Sequence, residues 1–178
     1  MEEKQTSLSM HSMIYGAGTG MCMIVLTLVL YVSNLYMNQA LQYLGLLIMA
    51  AGMVIGSLQY RKVQLKGFMT YGQAFSVTFL IGLFATILSV IFFFFYVKYI
   101  NTGLIEEMLA MTRTKMEAKA GSMSQEQIDQ AMAMTEKFMS PVWMSIWGLL
   151  GNAFFSAVIA LVISIFVKKK DPNAPTMI

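Results

Sequence analysis

Charge is scarce in this chain and missing altogether from three long stretches. Asp, Glu, Lys and Arg make up 12% of the 178 residues, where a water-soluble globular domain carries about a quarter. Neither they nor the single histidine occur within 12–60, 67–97 or 138–167. Too few charges remain to coat a water-facing surface, which excludes an ordinary soluble domain. The one cysteine, Cys22, excludes an internal disulfide. The hydrophobic stretch follows Cys22 rather than preceding it, the reverse of a lipoprotein signal. Glu2 and Glu3 stand where a cleaved signal peptide is basic, so the first apolar run reads as a retained anchor. The apolar runs hold no ionisable group of the kind proton-coupled transporters keep within the bilayer. They hold no acid pair for lipid-linked chemistry, and the adjacent Glu106 and Glu107 point apart on a helix. No metal-ligand cluster stands out, and neither an enzyme nor a cofactor is expected.

What is abundant is apolar: 57% of residues are hydrophobic, and the mean hydropathy is +0.65. Apolar runs of about 20 residues cross ~30 Å of hydrocarbon as helices. The expectation is an all-α, polytopic membrane protein, a single membrane domain over 1–178, with spans at about 15–33, 41–60, 71–97 and 141–167. Residues 34–40 then make a tight turn. All eight tyrosines fall at or near a proposed span end, and Trp143 and Trp147 begin the fourth, as aromatic rings favour the headgroup level. Lys4, Arg61, Lys62, Lys66 and Lys168–Lys170 share one side, mostly hugging span ends. By the positive-inside rule that side is cytoplasmic, with both termini and the 168–178 tail. These cations suit anionic lipid headgroups and need no nucleic acid.

Thr70-Tyr71-Gly72-Gln73 has the form of a capping box: Thr70 and Gln73 bond each other's backbone N–H groups and start the third helix. Ser124 and Gln127 repeat the pattern in the polar segment. Small residues form a stripe on every span. Gly16 and Gly20 lie in the first, Gly52 and Gly56 in the second, and Gly82 with Thr86, Ala85 and Ser89 in the third. The fourth carries Gly148, Asn152, Ser156, Ala160 and Ser164 at steps of four. Lipid supplies little hydrophobic drive between helices, so close backbone approach and interhelical hydrogen bonds must hold the bundle. Asn152 is the strongest intramembrane polar residue and reads as packing glue. Ser76, Thr78, Thr86 and Ser89 are expected to bond carbonyls of their own helix. "YGAGTG" at 15–20 lacks the spacing and strand context of a nucleotide loop.

A Tyr-Gly element in the first span, a Tyr-Arg pair closing the second, then a Gly and "TYGQAF" opening the third form a recognisable order. With a long polar segment and Ser-Pro before the fourth span, the chain over about 13–167 resembles a family of small bacterial membrane proteins catalogued as domain of unknown function 4199. The resemblance implies a four-span protein of the Gram-negative inner membrane and no particular activity. Thr78 stands near the place where the family often has a glycine.

Residues 98–140 read as an extracytoplasmic helical hairpin between spans three and four. The third span is expected to continue outward as a helix with Leu104, Ile105, Met108 and Met111 on one face, broken at Gly121. The second arm, opened by Ser124, has Ile128, Met132, Thr135 and Met139 on its apolar face. Met108, Met111, Ile128 and Met132 are the expected surface for a partner. The expected role is a non-catalytic structural or accessory subunit of the inner membrane, resting in the lipid bilayer and packing with itself or an envelope protein through this hairpin. A small-solute or lipid transporter or channel is the alternative. Cu(I) binding is a lesser one, prompted by the 18 methionines, Met108 and Met111, Met21-Cys22-Met23 and Met10-His11.

Overall fold

The structure, a computed structural model, describes residues 7–33, 35, 36, 38–119, 124–170 and 172. Among the described residues six α-helices follow in order: α1 (Leu8–Val32), α2 (Gln39–Val63), α3 (Tyr71–Phe95), α4 (Leu104–Lys119), α5 (Gln125–Phe138) and α6 (Pro141–Val167). Four helical stretches, Leu8–Val32, Tyr43–Val63, Tyr71–Ile100 and Pro141–Val167, are long and apolar enough to cross a membrane. The protein is an all-α, multi-pass membrane protein.

Two of the expected spans change at their ends. α1 begins at Leu8 rather than near Tyr15, because Ser7 caps it: the Ser7 hydroxyl accepts from the Met10 N–H at 3.3 Å. This draws His11 into the helix. α2 runs past Tyr60 to Val63, placing Arg61 and Lys62 in its last turn, where cations suit the carbonyl end of a helix. The 34–40 turn and the break at Gly121 lie partly or wholly outside the described residues.

Two compact units divide the chain, one from Met1–Ser89 with Gly151–Ile178 and one from Val90–Leu150. In the first, each helix buries a single stripe. Ser12, Gly16, Thr19 and Gly20 do so on α1, and Met49, Met53, Ser57 and Tyr60 on α2. On α3 the stripe is Ala74, Val77, Thr78, Ile81, Gly82, Ala85 and Thr86; on α6 it is Ser156, Ala160, Ile163, Ser164 and Val167. The steps of three and four that put these residues on one face are those of the glycine and serine patterns in the sequence. Met49, Met53 and Ile81 fill the centre and are fully buried.

Glycines set the helix spacing. A Cβ on Gly16 would stand 2.6 Å from Phe84 Cβ and 2.8 Å from the Ile81 carbonyl oxygen, and one on Gly20 3.1 Å from the Ala85 oxygen. So α1 meets α3 backbone to backbone. Gly52 receives the Thr19 side chain, and Gly56 lies under Tyr15 and Ile81. Gly82 faces Ser156 and the methyl end of Met53.

In the second unit, α3 ends in a π-helical turn, Tyr96–Ile100, closed by Asn101 N–H donating to the Tyr96 carbonyl at 2.8 Å. The third span therefore does not continue into α4 as one helix. The chain breaks at Asn101–Gly103, and α4 starts at Leu104, which is fully buried. α5 packs on α4, and an exposed ion pair joins Arg113 to Asp129 at 2.9 Å.

Candidate functional site

One end of the first unit gathers the groups with chemical character. The residues that start α1 and α3 meet there with those that end α2 and α6. His11 is 93% buried, and its Nε2 lies 2.9 Å from the Gly56 carbonyl oxygen. A carbonyl only accepts, so Nε2 carries the proton. Gly56 O is already a helix acceptor, and its second lone pair takes this bond. The imidazole stacks on Tyr15 at 4.5 Å between ring centres and meets the edge of Tyr60 at 5.0 Å. His11 and Tyr15 are one turn apart on α1, and Gly56 and Tyr60 one turn apart on α2, so two i, i+4 pairs interlock. The missing Cβ of Gly56 admits Tyr15, whose Cβ and Cγ would lie 3.0 Å from it.

The next residue of α2, Ser57, shares a 2.6 Å hydrogen bond with Thr78 of α3, both fully buried. One turn beyond Ser57, Arg61 Nη1 donates to the Val167 carbonyl at 2.6 Å, satisfying an orphan acceptor at the end of α6. The chain then turns through Lys66 and Gly67, both with positive φ (52° and 97°), into Met69. Met69 pairs antiparallel with Lys169 through two backbone bonds of 2.9 Å each. Tyr71 reaches the Leu161 carbonyl at 3.3 Å. The four helix ends are thus tied by side-chain and backbone bonds across elements far apart in sequence.

Thr70 N–H donates to Gln73 Oε1 at 3.0 Å, and Gln73 N–H to Thr70 Oγ1 at 3.3 Å. Ser124 and Gln127 make the same reciprocal pair at 2.9 and 3.3 Å. Gly16, Gly20, Gly52, Gly56 and Gly82 sit at helix contacts, and Ser156 and Ala160 are buried. Gly148 differs: a Cβ there would reach only Val90, at 3.9 Å, an ordinary contact. The tight part of the α6 ladder therefore begins at Ser156, and Asn152 is half-buried. Thr78 bonds across helices instead of to its own carbonyls. The buried Thr86 and Ser89 hydroxyls, with Ser12, make no hydrogen bond among the described residues.

Of the four residues expected to face a partner, Ile128 and Met132 are 3% and 8% exposed. They are consumed within the hairpin because that face of α5 packs inward. Met108 is half-buried and Met111 is exposed. The apolar residues α5 does present are Met134 and Phe138, with Phe138 against Trp143 at 6.3 Å. Their i, i+4 spacing was available in the sequence. Met10 is exposed while His11 is buried, so that pair diverges.

A family described as "Protein of unknown function (DUF4199)" matches residues 14–169. The chain belongs to that family. The matched region of this DUF4199 protein contains Tyr15, Gly56, Ser57, Tyr60, Thr78 and the Met69–Lys169 pair, and begins just after His11. No curated protein and no solved structure matches the chain.

Proposed function

We propose that this DUF4199 protein is a non-catalytic subunit of a bacterial inner-membrane assembly, with both termini cytoplasmic. Its hairpin packs outside the membrane on a second copy or on an envelope protein. The observation that carries the reading is the exposed apolar pair Met134 and Phe138, 66% and 53% exposed, on a different face of α5 from the buried Ile128 and Met132. Large apolar residues on a charged, water-facing arm mark an interaction surface. The fully buried Met49, Met53 and Ile81 fit a packing role for the membrane-spanning unit. The test is photocrosslinking from position 134 or 138 in native membranes. A discrete protein adduct that Phe138→Gln abolishes is expected. Crosslinks to lipid alone, with a monomer after gentle solubilisation, would overturn the reading.

A small-solute transporter is the second reading. His11 favours it: an imidazole drawn into a spanning helix is the sort of group that transport pathways use. Uptake of candidate solutes into proteoliposomes, compared with His11→Phe, separates the two.

A further inference from the structure

A groove on the outside of the first unit carries an assignment of its own. Its walls are Ile55, Leu58, Gln59, Arg61, Lys62, Gly67 and Lys169, and it encloses about 570 Å³. Ile55, Leu58, Gln59 and Lys62 lie at i, i+3, i+4 and i+7 on α2, so they form one stripe along the helix. That stripe runs from apolar through amide to cation over about 10 Å at 1.5 Å per residue. Ile55 and Leu58 are 60% and 38% exposed, on a helix apolar enough to cross a membrane. The cationic end is built rather than loose. Arg61 is anchored at Val167 O and has four further N–H donors. Gly67 N–H donates to the Arg61 carbonyl at 2.9 Å, and the backbone of Lys169 is paired with Met69.

We propose that this groove binds an anionic phospholipid. The phosphate sits among Arg61, Lys62 and Lys169, the ester region lies at Gln59, and acyl chain rests on Leu58 and Ile55. The order of residues along α2 matches the order of groups in such a lipid, from chain to ester to phosphate. Inorganic phosphate could use the three cations but would leave the apolar wall without a role. A zwitterionic lipid could use the wall, but its own cation would offset the attraction. The assignment does not depend on the role of the hairpin.

The experiment is native mass spectrometry of the full chain released from mild detergent, with phosphatidylglycerol, phosphatidylcholine or inorganic phosphate added. Phosphatidylglycerol should be retained in preference to phosphatidylcholine. Each interfacial cation is worth about fivefold in affinity, so K62Q/K169Q should reduce that preference by about tenfold or more. K98Q/K115Q removes the same charge elsewhere and should leave it intact. I55Q/L58Q should also weaken retention. The substituted side chains are exposed, so the fold should persist, and a circular dichroism spectrum checks this. An unchanged preference in K62Q/K169Q would overturn the site. Displacement of the lipid by millimolar inorganic phosphate, with no effect of I55Q/L58Q, would overturn the lipid assignment.

Discussion

Two glycines of α1, two residues apart, provide a sharp test of how this bundle coheres. Gly16 and Gly18 share a helix, and alanine at either brings the same gain in intrinsic helix propensity, up to about 1 kcal/mol. Their surroundings differ completely. A Cβ at Gly18 meets nothing within 4 Å, whereas one at Gly16 would stand 2.6 Å from Phe84 Cβ and 2.8 Å from the Ile81 oxygen. Carbon atoms rest comfortably at about 3.5–4.0 Å, so α1 and α3 must part by about 1 Å. The obstacle at Gly16 includes backbone, which cannot rotate aside as a long side chain can. Parting also loosens the Gly20 contacts at 3.1 Å. Overpacking costs about 1–3 kcal/mol, and the rigid obstacle argues for the upper half of that range. Because the propensity gain cancels, Gly16→Ala should be less stable than Gly18→Ala by about 2–3 kcal/mol. Lipid offers no compensating drive between helices. Fraction folded against SDS in mixed micelles measures this as displaced midpoints. If Gly16→Ala proved as stable as Gly18→Ala, close α1–α3 contact would not be what holds the unit together.

The buried Ser57–Thr78 bond should appear in a double-mutant cycle with Ser57→Ala and Thr78→Val as a coupling of about 0.6 kcal/mol, with about 1.7 as a ceiling; a coupling indistinguishable from zero would deny the bond. His11→Phe keeps a ring for Tyr15 to stack on but loses the bond to Gly56, so its cost should be about 1 kcal/mol. His11→Ala also leaves a cavity and should cost about 2 kcal/mol or more by the same titration; equal costs would refute the stacking contribution. Arg113 is held above its ordinary pKa, first by its hydrogen bond to Glu117 and then by the charge of Asp129. A raised pKa on a cation gives stability that is present below the unfolded value and lost only as pH rises through the folded one. That window lies above the working range, so titrating Arg113 should not alter hairpin helicity between pH 6 and about 9, as circular dichroism would show.

Features that repeat or act locally are legible in the sequence. Charge-free runs gave the spans, because a bilayer imposes one length on every crossing helix. Thr70 with Gln73, and Ser124 with Gln127, announced helix starts because a capping box is complete within four residues. Gly52, Gly56 and Gly82 were visible as small stripes, yet which helix each would meet was not. Gly148 shows the limit: it shares the step of four with Ser156 but has room for a Cβ, since spacing fixes a face and not the distance to a neighbour. His11 lies four residues ahead of the expected start of the first span at about 15, so the apolar pattern does not draw it into the helix. Its partner, Gly56 O, is a backbone atom 45 positions away, which no pattern of side chains encodes. The Met69–Lys169 pair is more remote still. For Ile128 and Met132, an apolar face was read correctly as apolar, but packing against α4 consumes it, leaving the Met134–Phe138 face outward.

The concentration of long-range bonds at one end of the first unit has a physical rationale. Helix ends expose donors and acceptors that lipid cannot satisfy, and water at the interface satisfies them only loosely. Here Arg61 serves α6, Gln73 and Thr70 serve α3, and Met69 and Lys169 satisfy each other. His11 adds a bond to a carbonyl of α2 already paired within its helix. The His11 tie joins α1 and α2, which Gly52 and Gly56 also hold together deeper in the unit, so there packing sets the distance and the polar bond sets the register. A slip of one residue between α1 and α2 would take His11 off Gly56 and Tyr15 off the gap its missing Cβ provides. Both losses would come at once, which makes the observed register one that both kinds of contact select.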